Sequence, residues 1–210
     1  MKKITLTSLL TIMCISLALS QNQRKSATEN EADHKFSFGT TYLILANFGQ
    51  EKTNTHHYEF HGSYQLTPKD RIGIKVATWK LFAPMGIQLW DPGFRDESEF
   101  FPGRLSECGI GVTYQRMLWK GLFAAVEVLP LFKIYLDEEK NKIDEGFKLY
   151  TTWHLGYHIA LFKNRFYLEP QVHCNYWPVD TKAPQGFEEK ESKWKNYFLF
   201  EPNLYFGINF

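Results

Sequence analysis

The chain is poor in cysteine. It has three, and Cys14 sits in an apolar stretch near the N-terminus, so only Cys108 and Cys174 are left for the remainder. That is too few for the disulfide framework that staples small secreted domains. Neither sign of charge is in excess: the formal net charge is +1, and −1 once Lys2 and Lys3 are set aside. A nucleic-acid binder would normally show a basic surplus, so no nucleic-acid partner is expected. After residue 20 no stretch is long and apolar enough for a membrane helix, which needs ~20 residues. Also missing are an internal repeat, a low-complexity segment, a compact run of metal ligands and a Gly-x-Ser-x-Gly nucleophile elbow. If the later chain spans a membrane, it must do so as a closed barrel. Only helices and barrels satisfy every backbone group in lipid.

What is present begins with an address. Met1-Lys2-Lys3 is a short positive start, residues 4–19 are almost uncharged and apolar, and Ala18-Leu19-Ser20 puts small residues where a signal peptidase reads. Residues 1–20 are therefore expected to be a secretory signal peptide; the run is short for an anchor helix and has no stop-transfer flank. A lipoprotein signal is excluded because Cys14 follows Met13 inside the apolar run. Residues 21–34 are polar and lack periodicity, and are expected to form a flexible periplasmic N-terminal arm.

From residue 35 onward the hydrophobic pattern has period two. Eight segments carry it, at about 35–48, 57–66, 71–80, 108–118, 122–136, 146–162, 165–177 and 197–210. Each meets or nearly meets the ~9–11 residues that a tilted transmembrane strand needs. The connections alternate in length. Thr67-Pro68-Lys69-Asp70, Trp119-Lys120-Gly121 and Lys163-Asn164 are tight turns, whereas 49–56, 81–107, 137–145 and 178–196 are longer. Short periplasmic turns alternating with longer extracellular loops suit an outer-membrane barrel. The turns also keep the faces in phase. A two-residue turn at Lys163-Asn164 pairs Leu161 with Phe166 and Leu155 with Val172. A three-residue turn ending at Gly121 pairs Leu118 with Leu122 and Tyr114 with Val126.

One apolar face per strand fits either a soluble lipocalin-like barrel, with that face inside, or a membrane barrel, with it outside. The opposite face decides. It carries Ser37, Gly39, Glu59, His61, Ser63, Gly73, Lys75, Gly109, Gly111, Glu127, His154, His158, Glu169, His173, Glu201 and Asn203, which are small or hydrogen-bonding residues suited to a narrow lumen. The early Gly-x-Trp of lipocalins is absent from the first strand. The expected fold is an all-β, eight-stranded antiparallel up-and-down transmembrane β-barrel over residues 35–210.

The last segment adds a resemblance. Every even position from Phe198 to Phe210 is apolar, alternating with Glu201, Asn203, Gly207 and Asn209. This resembles the C-terminal signature of bacterial outer-membrane proteins, a terminal aromatic preceded by alternating hydrophobic residues. The resemblance implies location in the cell outer membrane, contact with its lipid, and reading of the strand ending in Phe210 by the barrel-assembly machinery. In architecture the chain resembles the OmpA membrane domain, OmpX and OmpW, although no motif singles out one of these families. A monomer is expected.

An eight-stranded barrel is just wide enough for side chains to fill it. Glu59, Glu127, Glu169 and Glu201 are expected to pair inside with Lys75, Lys133 and histidines, giving a plugged lumen. Of the seven histidines, His57, His61, His154, His158 and His173 fall on the lumen face. The proposed turn sets His154 opposite His173 and His158 opposite Glu169. Paired imidazoles near Glu201 could hold zinc, but without ligand spacing no metal or cofactor is expected. A lipid-modifying enzyme is the alternative from another class. Ser37 and Ser63 face the lumen, yet no serine matches the phase of His56 and His57 near the outer rim, so no catalytic residue is assigned. The expected role is non-enzymatic, structural or in surface interaction. The aromatics of the 81–107 loop, Phe82, Trp90, Phe94, Phe100 and Phe101, are expected to pack over the mouth or join an interfacial girdle, and 178–196 to be a solvated run. Cys108 and Cys174 lie on strands that are not neighbours, so free thiols are expected.

Overall fold

The computed structural model describes residues 34–48, 56–87 and 91–210. The expected signal peptide, nearly all of the N-terminal arm, and Trp90 lie outside the described residues. Nine strands form: β1 Phe36–Thr41, β2 Tyr58–Gln65, β3 Asp70–Leu81, β4 Arg104–Trp119, β5 Leu122–Leu136, β6 Lys142–Tyr157, β7 Ile159–Leu161, β8 Phe166–Asp180 and β9 Tyr197–Asn209. All pairings are antiparallel between strands adjacent along the ring, and β1 pairs with β9. β7 continues β6 past His158, and both pair with β8. The result is an up-and-down ring of hydrogen bonds through eight strand positions, which leaves no free edge among the described residues.

The alternating pattern dictates which side each residue takes, and the ring is inside-out relative to a water-soluble protein. Ile110, Val112 and Phe132 are each more than 60% exposed, and Ile74, Val76, Trp153, Leu155 and Phe166 also face outward. Glu59, Lys75, Glu127, His154, Glu169, Gln171, His173 and Asn203 are buried inside. A lipocalin-like barrel would carry the apolar set within.

The turns at one end follow local chemistry. Lys163 and Asn164 have φ of 57° and 63°, the primed-turn conformation that matches strand twist. Leu161 faces Phe166 and Leu155 faces Val172, as the turn requires. At Lys120-Gly121 the expected register is corrected. Trp119, not Leu118, faces Leu122, and a bulge between Met117 and Trp119 restores the phase so that Tyr114 faces Val126. The positive φ of Gly121, 94°, makes a two-residue turn possible there. In the third turn the Thr67 hydroxyl donates to Asp70 Oδ2 at 2.6 Å.

Other departures occur toward the long-loop end. The expected first strand stops at Thr41, and Tyr42–Phe48 is a 3-10 helix. An unbroken apolar run such as Tyr42-Leu43-Ile44-Leu45 has no period of its own. Asn47 then fastens the segment to the start of β2, donating from Nδ2 to the His57 carbonyl at 2.9 Å and accepting the His57 N–H on Oδ1 at 2.5 Å. β4 starts at Arg104 rather than near 108, and β6 starts at Lys142 rather than near 146, which shortens the connection from β5 to 137–141. A bulge on β9 sets Leu199 and Phe200 against the single residue Cys174 of β8, with Phe200 at φ 59°. Beyond it the parity of β9 reverses, and Phe198 turns onto Trp177 with ring centroids 5.5 Å apart.

Candidate functional site

The interior is filled in layers, each built from side chains that neighbouring strands bring to the same height. Nearest the short turns, three donors converge on Glu169 Oε1: His158 Nδ1 at 2.8 Å, Gln115 Nε2 at 3.2 Å and Arg71 Nη1 at 3.3 Å. The His158–Glu169 contact is the one expected from the turn. Above it the Ser37 and Ser63 hydroxyls bond to each other. Gly39 and Gly207 leave room for Tyr167, since a Cβ on either would collide with its hydroxyl.

The middle layer is centred on a lysine. Lys75 Nζ lies 2.7 Å from Glu127 Oε1 and 3.0 Å from Glu59 Oε1. Glu59 also meets His61 Nε2 at 2.7 Å and accepts from the Tyr205 hydroxyl at 2.8 Å, while His57 Nε2 lies 3.5 Å away. All three members of the carboxylate–lysine–carboxylate set are buried, so each must be satisfied from within. His154 faces His173 as expected, their rings stacked at 5.1 Å. Glu201, opposite His173, takes a hydrogen bond from Asn175 Nδ2 at 2.8 Å.

Above the polar layers lies an apolar one: Ala77, Trp79, Leu129, Leu131, Tyr150 and Trp177 pack together and close the ring. Over it is a second charged group. Lys148 reaches Glu107 at 2.9 Å and Asp180 at 3.5 Å, and Lys133 reaches Asp180 at 2.5 Å and Glu191 at 3.9 Å. The pairing expected of Lys133 with the middle glutamates is thus corrected: it stands too far up β5 to meet them. A short helix, α1 (Phe187–Glu191), covers the mouth. Its Phe187 is fully buried among Phe101, Leu105, Tyr135 and Ala183. Phe82 and Phe101 pack inward over the mouth, the first against Phe100 and the second against Phe187. The 178–196 segment is therefore a partly packed cover rather than a wholly solvated run. Burial pushes the Glu191 carboxyl above the usual carboxylate range, against the pull of Lys148 and Lys133. Between cover and ring is a cavity of about 240 Å³ bordered by Met85, Lys148, Trp177, Asp180, Glu191 and Trp194.

Ser37 and Ser63 engage each other rather than a histidine. Among the described residues no three His, Cys, Asp or Glu side chains come together as metal ligands. The histidine pair meets, but among the described residues no third group completes a set around it. Three features escaped sequence reading. Glu107 falls in the expected 81–107 loop, yet β4 begins at Arg104 and carries it into the interior. Lys148 and Trp177 have the right parity for the interior but no local signal that marks them as partners. Comparison with protein-family models, with curated proteins and with solved structures matches none of them.

Proposed function

We propose that the chain is a small bacterial outer-membrane β-barrel, acting as a monomer, with a lumen closed by its own side chains. Its role is structural or one of surface interaction through the long loops, without enzymatic activity. One observation carries this reading: every strand position of the ring exposes large apolar residues on its outer face, among them Phe38, Phe60, Ile74, Val112, Phe132, Trp153, Phe166 and Ile208, while Glu59, Lys75, Glu127 and Glu169 are buried inside. A contiguous apolar wall of this kind is rarely left to water, whereas lipid requires it. Closure of the ring supports the same reading, because an open sheet edge is not tolerated in hydrocarbon. The architecture is that of OmpA-like membrane domains, with short turns toward the periplasm and long loops outside. Export by residues 1–20 and assembly through the strand ending in Phe210 belong to the same proposal.

The test is expression of the full chain in a Gram-negative host. The expected product fractionates with the outer membrane, resists carbonate extraction and shifts in gel mobility on heating. Deletion of Phe210 should lower its yield there. Recovery as a soluble periplasmic protein would overturn the proposal. Incubation with lipid A should leave the lipid's mass unchanged; loss or gain of an acyl chain would replace this reading with an enzyme.

A further inference from the structure

The outer wall is not uniform. Cross-strand registers align Phe36, Tyr64, Ile72 and Tyr114 in one row across β1–β4. The next row toward the long loops is Phe38, Gly62, Ile74 and Val112. Gly62 has no side chain, and a Cβ built there would meet nothing within 4 Å. The row of large residues beside the row interrupted by Gly62 leaves an apolar groove of about 780 Å³ on the outside of the ring.

The groove ends at a basic rim. Among the described residues, the exposed cationic side chains at the short-turn end are Lys35, Lys69, Arg116, Lys120, Lys163 and Arg165, and the one acidic side chain on the outer rim there is Asp70. Arg116 lies on the same outward face as Tyr114, which borders the groove. Its Nη1 bonds Asp70 Oδ1 at 2.6 Å and stands 3.5 Å from the Tyr114 hydroxyl. A guanidinium has five N–H donors, so one carboxylate does not exhaust it. Lys69 is held beside it, its carbonyl accepting the Met117 N–H at 2.7 Å.

We infer that this face binds an anionic phospholipid of the inner leaflet, one acyl chain lying in the Gly62 groove and the phosphate at Lys69 and Arg116. The inference rests on the outer-membrane reading. Charge complementarity selects the partner: a wall meeting lipid only through hydrophobicity would not need a cationic rim at the groove's end, and each basic group near a membrane surface favours anionic lipid.

The experiment is native mass spectrometry of the full chain in non-ionic detergent, titrated with phosphatidylglycerol or with phosphatidylcholine of the same chain length. The wild type should retain phosphatidylglycerol on the order of tenfold better. Lys69→Gln with Arg116→Gln should remove that preference, weakening phosphatidylglycerol more than phosphatidylcholine, whose choline cation already offsets its phosphate. Gly62→Phe, which has open space for its side chain, should weaken both lipids. Lys182→Gln, at the opposite end, should change neither. Equal retention of the two lipids by the wild type, variants that bind like the wild type, or a second copy of the chain occupying the face would each overturn the inference. Failure of the outer-membrane reading looks different: the wild type would not float with vesicles of either lipid.

Discussion

Lys75 shows how a single residue governs the interior. It neutralises two carboxylates that stand one register step to either side of it on the inner face, Glu59 on neighbouring β2 and Glu127 on β5, one strand beyond β4. Removing one partner of a buried ionic set leaves an uncompensated charge and typically costs about 3–5 kcal/mol. Lys75→Met should therefore lower the unfolding free energy by about that amount in a denaturant titration of the lipid-reconstituted protein. Adding Glu59→Gln and Glu127→Gln to the same chain should recover most of the loss, because no charge is then stranded. If the single variant were as stable as the wild type, the middle layer would be hydrated rather than closed. Lys75 and both glutamates were legible as interior residues from parity. That one lysine serves two carboxylates was not, because sequence spacing carries no information about which side chains meet over an intervening strand.

At the scale of elements, α1 is the piece whose attachment should respond to pH. Burial under the cover raises the Glu191 pKa above its ordinary range. A carboxyl with a raised folded-state pKa contributes stability while protonated, below its unfolded pKa, and loses that contribution as pH rises through the raised value. Hydrogen exchange of amides 187–192, corrected for intrinsic rates, should thus show weaker protection above the carboxylate range than within it. Glu191→Gln should flatten this dependence; protection that rises with pH in the wild type would contradict the assignment. The strand order has its own test. Cys108 and Cys174 are free, on β4 and β8, which do not pair. Alkylation without reductant should label both thiols. An intramolecular bond between them would require Cα atoms within ~7 Å and would refute the ring order.

For the whole molecule the decisive property is closure of the interior. A polar network with Glu169 at its base and Lys75 at its centre is roofed by Trp79, Leu129, Leu131, Tyr150 and Trp177. The mouth is covered again by Phe101 and Phe187. Eight strands leave room for side chains and little else. Planar-bilayer recordings of the purified chain should show no large, steady conductance. Stable open channels would mean that the apolar layer or the cover moves aside in a membrane. Trp79→Ala with Leu131→Ala, which thins that layer, should be the variant in which ion leakage first becomes measurable.

The sequence by itself determined the strands, the tight turns and the side on which most residues lie. All three follow from period-two alternation and turn chemistry, which act over a few residues. His154 opposite His173 and His158 beside Glu169 were legible for the same reason, since a hairpin register follows from its turn. Tertiary structure alone decided the rest. The bulges at Leu118 of β4 and at Leu199 and Phe200 of β9 shifted phase, turned Phe198 inward and moved the Trp119 turn by one residue. The run 42–48 left the sheet, and Lys133 found Asp180 and Glu191 instead of the middle glutamates. These outcomes depend on which residues stand at equal height on strands far apart in the chain, and that height is set by the closed ring rather than by any local pattern.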